Sequence, residues 1–122
     1  MGTAFLVCDE SGVPDAYKEA ILRAREHETR LTRVFSGRPA RGIVNRFMTE
    51  VERTAGPEAV LPFPFQNTLT RSLRSAAARQ GRAEFLSLWA GQGVRMARRQ
   101  PAAQFISRLS LETDAAIRRL AV

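Results

Sequence analysis

Few side chains in this 122-residue chain stand where chemistry could be done. One candidate run is Trp89-Ala90-Gly91-Gln92-Gly93, whose small residues on either side of Gln92 would let its amide approach a planar ring or a neighbouring helix. The blander reading of the same run is a glycine-mediated turn that caps one helix and starts the next, with Trp89 in the core. Another candidate is Arg33-Val34-Phe35-Ser36-Gly37-Arg38-Pro39-Ala40-Arg41, three arginines around a Gly-Pro turn. They could hold an anion, or satisfy carbonyls and carboxylates at a seam between domains, which is the preferred reading. Cys8 is the only cysteine, which excludes an intramolecular disulfide and a multi-cysteine zinc site; at the end of an apolar run it reads as a buried, inert thiol. His27 is the only histidine and has no motif that would pair it with a nucleophile. No residue is therefore assigned catalysis, and none is assigned to a metal.

Length and composition narrow the frame. The chain is 44% hydrophobic and 25% charged, ordinary for a soluble globular protein. Its formal charge is +7, and all nineteen basic residues are arginine except Lys18. Such a balance attracts nucleic acid, anionic lipid and phosphorylated ligands. The arginines are scattered, however, with Arg71, Arg74 and Arg82 among Ala and Ser and Arg95, Arg98 and Arg99 among Ala and Met, the spacing of solvated helix faces. No apolar stretch reaches the ~18 residues of a membrane span, and no secretory signal opens the chain, so a cytoplasmic location is the default expectation. A Walker loop, a dinucleotide fingerprint, His-Glu-x-x-His and Gly-x-Ser-x-Gly are all missing from the sequence.

The elements that must position these groups are mostly helical. Residues 3–8, apolar and bounded by Gly2 and by Asp9-Glu10-Ser11-Gly12, read as a buried strand, and residues 32–35 as the clearest second one. Apolar residues at three and four residue intervals predict helices over 14–26, with Pro14 in the first turn, and over 42–54, with Ile43, Val44, Phe47, Met48 and Val51 on one side. Three prolines make 57–65 an extended connector. An Ala-rich helix follows over 66–80, a short one over 94–99, and a final helical region opens at Pro101, with room for a bend at 110–113. The expected class is mainly α with one or two short strands. A chain of this length cannot itself be an eight-stranded barrel, which takes about 250 residues and rarely fewer than about 200.

Several runs occur in an order that resembles one known family. Met1-Gly2-Thr3-Ala4-Phe5-Leu6, Glu10-Ser11-Gly12-Val13-Pro14-Asp15-Ala16-Tyr17-Lys18, the arginine run at 32–42, Pro62-Phe63-Pro64-Phe65-Gln66-Asn67 and Leu88-Trp89-Ala90-Gly91-Gln92-Gly93 resemble the C-terminal third of nitronate monooxygenases, the 2-nitropropane dioxygenase family. The resemblance implies a C-terminal fragment of a (β/α)8 TIM-barrel flavoenzyme: residues 1–8 a late barrel strand, 14–99 a mostly helical second domain, 100–122 a terminal helical region. It implies FMN as cofactor, an alkyl nitronate and O2 as substrates, and a carbonyl compound and nitrite as products. Met1, Gly2 and Thr3 would then contact the flavin phosphate, with Gly91 and Gln92 near the flavin. As a bare dipeptide, Gly2-Thr3 would be a strand start. The family's Gly-rich phosphate turn and catalytic histidine have no counterpart here, so the expected partner is the missing N-terminal barrel portion, and the isolated chain is expected to be inactive. The alternative from another class is a small basic helical module that binds nucleic acid or protein, for which the arginines would have to gather on one surface.

Overall fold

A computed structural model describes residues 1–120; Ala121 and Val122, the last two positions of the expected terminal helical region, lie outside the described residues. Seven regular elements follow one another: α1 (Gly2–Leu6), α2 (Asp15–Arg23), β1 (Thr29–Thr32), β2 (Ala40–Ile43), α3 (Arg46–Thr54), α4 (Phe65–Arg79) and α5 (Ala102–Leu120). Short 3-10 turns at Glu26–Glu28, Pro57–Ala59, Ala83–Phe85 and Gln92–Met96 join them. The class is mainly α with two short strands, as the sequence patterning predicts.

The strands pair antiparallel, Thr29 opposite Ile43 and Thr32 opposite Ala40. The chain returns to the free edge of β2 some fifty residues later in a single antiparallel bridge between Gly42 and Trp89. There the Ile43 amide donates to the Leu88 carbonyl oxygen at 2.9 Å, and the Ala90 amide to that of Arg41 at 3.1 Å. Gly42 permits this approach, because a Cβ at that position would stand 3.0 Å from the Leu88 oxygen and 3.2 Å from the Trp89 ring.

Two apolar clusters hold the fold. In one, Val7, Ile21, Ile43, Leu86, Leu88 and Val94 bring the end of α1, α2, β2 and the 86–97 segment together. In the other, Val34, Phe35 and Met48 pack with Phe47, Val51 and Trp89. The Phe35 ring lies 4.9 Å from that of Phe47 and meets Trp89 edge to face at 5.6 Å. Each such side chain taken fully out of water contributes roughly 1.5–3 kcal/mol before ordering costs. Of the apolar face at 43–51, Ile43, Phe47, Met48 and Val51 are thus packed within the chain itself, and Val44 is exposed. The α5 helix is different: it has no buried residue, and Ile106, Leu111, Ile117 and Leu120 are exposed.

Several expectations about local structure are corrected. Residues 3–8 form no strand; α1 occupies Gly2–Leu6, and only Val7 and Cys8 beyond it are buried. Among the described residues no strand lies beside this run, and a helix pairs backbone groups that an isolated strand would leave open. The first strand ends at Thr32, because the Thr32 hydroxyl accepts from the Val34 amide and the Gly37 amide donates to the Arg33 carbonyl oxygen, turning the chain. Val34 and Phe35 enter the core from that turn, their carbonyl oxygens accepting from the buried Gln66 and Thr70 side chains of α4. The third correction concerns 42–54: Ile43 belongs to β2, and α3 begins only after Asn45, whose backbone is extended and whose side-chain oxygen accepts from the Met48 amide at 3.2 Å. At the other end of the chain α5 runs through 110–113 without a bend, and Val94 sits in a 3-10 turn rather than an α-helix.

Candidate functional site

Residue types at α1 and at the 89–93 turn converge on one place. The Gly91 amide donates to the Thr3 hydroxyl oxygen at 3.0 Å across 88 positions of sequence. The two segments border a hollow of about 350 Å³ lined by Met1, Thr3, Gly91, Met96, Phe105 and Arg108, with Glu112 beside Arg108. Of the five positions singled out in the sequence, Met1, Thr3 and Gly91 therefore share one wall. Gly2 sits between Met1 and Thr3, exposed, with nothing within 4 Å of where its Cβ would be. Gln92 is exposed and does not line the hollow.

The arrangement is held from behind by two successive residues of α2. The Tyr17 hydroxyl donates to the Trp89 carbonyl oxygen at 2.8 Å, which ties the 89–93 turn to α2, and burial pushes this phenol's pKa well up. Lys18, only 4% exposed, donates from Nζ to the Cys8 oxygen at 2.8 Å and to the Asp9 oxygen at 3.3 Å, which ties down the C-terminal side of α1. A buried lysine head is costly unless its protons find acceptors, and here two carbonyls supply them. The same loop reaches α5. The Glu10 carboxylate accepts from the Ala102 amide at 2.9 Å, the contact that most lowers its pKa, and the Asp9 amide donates to the Gln100 oxygen at 3.2 Å. Phe5 and Phe105 then meet edge to face at 4.8 Å.

Tyr17, Lys18, Glu10, Phe105 and Arg108 were not readable as site residues. Tyr17 and Lys18 carry one weak signal, the lone lysine of an arginine-rich chain next to the lone tyrosine. Phe105 shows the helical period, and Arg108 stands three residues further on, on the same side of α5.

The remaining chemistry-bearing residues stand apart. Cys8 is buried, its thiol set against the Ala4 oxygen, and burial first, then Glu10 and Asp9, pushes its pKa up, the opposite of what a nucleophile needs. His27 is exposed in the Glu26–Glu28 turn. Arg33, Arg38 and Arg41 do not converge on an anion: Arg41 donates to the Thr29 oxygen at 3.0 Å, Arg33 to the Gly37 oxygen at 3.0 Å, and Arg38 lies over the Phe63 ring at 4.2 Å. Among the described residues seven other arginines, including Arg30 with Glu52 and Arg108 with Glu112, form ion pairs. Among the described residues no group of His, Cys, Asp and Glu could hold a metal, and no helix is long and apolar enough to cross a membrane.

Comparison with known proteins shows the family of the chain. The nitronate monooxygenase family model matches residues 1–112. A protein named probable nitronate monooxygenase from Bacillus subtilis (strain 168) is 48% identical over 95 residues, covering 78% of this chain and 27% of its own length. One of the same name from Staphylococcus haemolyticus (strain JCSC1435) is 43% identical over 109 residues, 89% of this chain and 30% of that protein. Among solved structures, nitroalkane oxidase from Streptomyces ansochromogenes superposes with a TM-score of 0.87 at 48% identity, covering 98% of this chain and 33% of that one. FabK from Thermotoga maritima gives a TM-score of 0.76 at 27% identity, with 99% and 38% covered. The chain thus spans about a third or less of the length of the curated relatives it matches. On the family model, the sequence identity and the shared fold together, it belongs to the nitronate monooxygenase family.

Proposed function

We propose that this chain is the part of an FMN-dependent nitronate monooxygenase that closes one side of the flavin site, residues 14–99 being its mostly helical second domain and 100–122 its terminal helical region. The carrying observation is the Thr3–Gly91 hydrogen bond, which joins the two segments for which the family resemblance implies flavin contact. The donor chemistry around it suits a phosphate. Because the Thr3 oxygen accepts from Gly91, its own proton is left to donate. The Gly2 and Thr3 amides, in the first turn of α1, have no carbonyl to pair with inside the helix, and the space beside Gly2 is open. Arg108 adds a cation, partly balanced by Glu112 at 3.6 Å.

When bound, the flavin would supply the redox chemistry that takes an alkyl nitronate and O2 to a carbonyl compound and nitrite. The contribution of these residues is to bind and to orient. Thr3 and the α1 amides would hold the phosphate end, while Tyr17 and Lys18 keep α1 and the 89–93 turn at a fixed separation. No residue of this chain is given the proton abstraction, since His27 is exposed and Cys8 is enclosed. The exposed apolar residues of α5, with Met1 at the rim of the hollow, support docking against the remaining barrel portion, which is the proposed partner.

The purified 122-residue protein is expected to carry no flavin absorbance through gel filtration and to turn over no nitronate. Co-expression with the N-terminal two thirds of the Bacillus subtilis relative is expected to restore both. Failure of that pairing to retain flavin, with both pieces folded, would reject the reading.

A further inference from the structure

Arg33 is left differently engaged from its two neighbours in the arginine run. Arg38 is stacked on Phe63 and Arg41 is bonded to β1, whereas Arg33 commits only Nε, to the Gly37 oxygen at 3.0 Å. Among the described residues no carboxylate pairs with it. Arg33 lines a cavity of about 370 Å³ whose walls are largely apolar, from Leu31, Val34, Pro39 and Val60. Glu52 also lines this cavity, but both its oxygens are in use: one takes Arg30 at 2.5 Å and the other the Thr32 hydroxyl at 3.0 Å. The Thr32 hydroxyl spends its proton on Glu52 and accepts from the Val34 amide, so it has no proton to offer a ligand. An apolar chamber therefore remains with a single uncommitted charged group, and that group is a planar cation.

We propose that this cavity binds a small monoanion with an apolar body, of the alkyl or aryl carboxylate type, its head group paired with Arg33. The volume lies within the range of small-molecule sites, roughly 300–1,000 Å³. The guanidinium plane matches a carboxylate with two parallel N–H donors, and its cationic charge selects against neutral analogues of the same shape. The cavity shares no lining residue with the Thr3–Gly91 hollow, so the inference stands independently of the flavin reading.

The test is an amide NMR titration of the 15N-labelled 122-residue protein with sodium octanoate. Saturable shifts concentrated at residues 31–34, 56 and 60 are expected. Arg33→Gln, an exposed substitution compatible with the fold, is expected to weaken octanoate by about tenfold, the loss of one charge-assisted pair. Octanamide should bind wild type no better than octanoate binds the variant, and inorganic phosphate should leave these residues unmoved. Absence of saturable shifts, equal binding of octanamide and octanoate, an unaffected Arg33→Gln protein, or the same shifts with phosphate would each overturn the proposal.

Discussion

Tyr17 donates its phenolic hydrogen bond to the Trp89 carbonyl oxygen at 2.8 Å, spanning 72 positions of sequence. The next residue, Lys18, grips the loop that follows α1. Two consecutive residues of one helix thereby set the distance between Thr3 and Gly91, which lie in the first and last thirds of the chain. The site is built by α2, although α2 contributes nothing to its lining.

Removing the Tyr17 hydroxyl tests this arrangement at its simplest point. Tyr17→Phe keeps the ring in place and leaves the Trp89 oxygen without its donor. Stability in denaturant titrations is expected to fall by about 1 kcal/mol. Hydrogen exchange at the Gly91 amide should quicken, while the Ile43 amide, paired with Leu88, stays protected.

Thr3→Val conserves shape and deletes the acceptor of the Gly91 amide. A loss of about 0.5–1.5 kcal/mol is expected, together with faster exchange at Gly91. Thr3→Ser, which retains the oxygen, should restore protection; equal exchange in both variants would mean that the hydroxyl does not hold the turn.

Gly37 is irreplaceable for two separate reasons. Its φ is +86°, and a Cβ there would stand 2.5 Å from the Leu61 oxygen and 2.6 Å from the Phe63 nitrogen. Gly37→Ala should cost more than the ~1 kcal/mol of an ordinary left-handed glycine, because backbone on both segments must shift. Thermal unfolding monitored by circular dichroism would measure the deficit. A melting temperature within a degree or so of wild type would refute the contact.

Glu10 makes the fold sensitive to acid. The Ala102 amide stabilises its ionised form and holds its pKa below the usual glutamate value. The stabilisation is fully present above the unfolded-state pKa of about 4.3 and is lost as pH falls through the lower folded-state value. Glu10→Gln should therefore melt earlier than wild type near neutrality, and the gap should close in acid. A gap independent of pH would point to a purely steric role.

Much of this molecule is legible from residue order alone. The helix over 66–80 follows from alanines and leucines at good spacing, and the structure places α4 at Phe65–Arg79. The burial of Cys8 and the exposure of His27 follow from their immediate neighbours. Local signals mislead where a backbone group has a choice of partner. Residues 3–8 are apolar enough for a strand, but among the described residues no neighbouring strand pairs with them, and the run up to Leu6 is helical instead. Ile43 and Val44 suit a helix face by period, yet Asn45 starts α3 later and frees Ile43 to pair with Leu88.

The site divides in the same way. Sequence alone determined which segments were candidates, Met1-Gly2-Thr3 and Gly91-Gln92, and that this chain belongs among the nitronate monooxygenases. Tertiary structure decided that Thr3 and Gly91 meet, that Gln92 stays outside, and that Tyr17, Lys18 and Glu10 do the holding. The physical reason is range. Propensity and periodicity act over a few residues, whereas these hydrogen bonds join positions up to 92 apart and exist only once the apolar clusters have folded the chain back on itself.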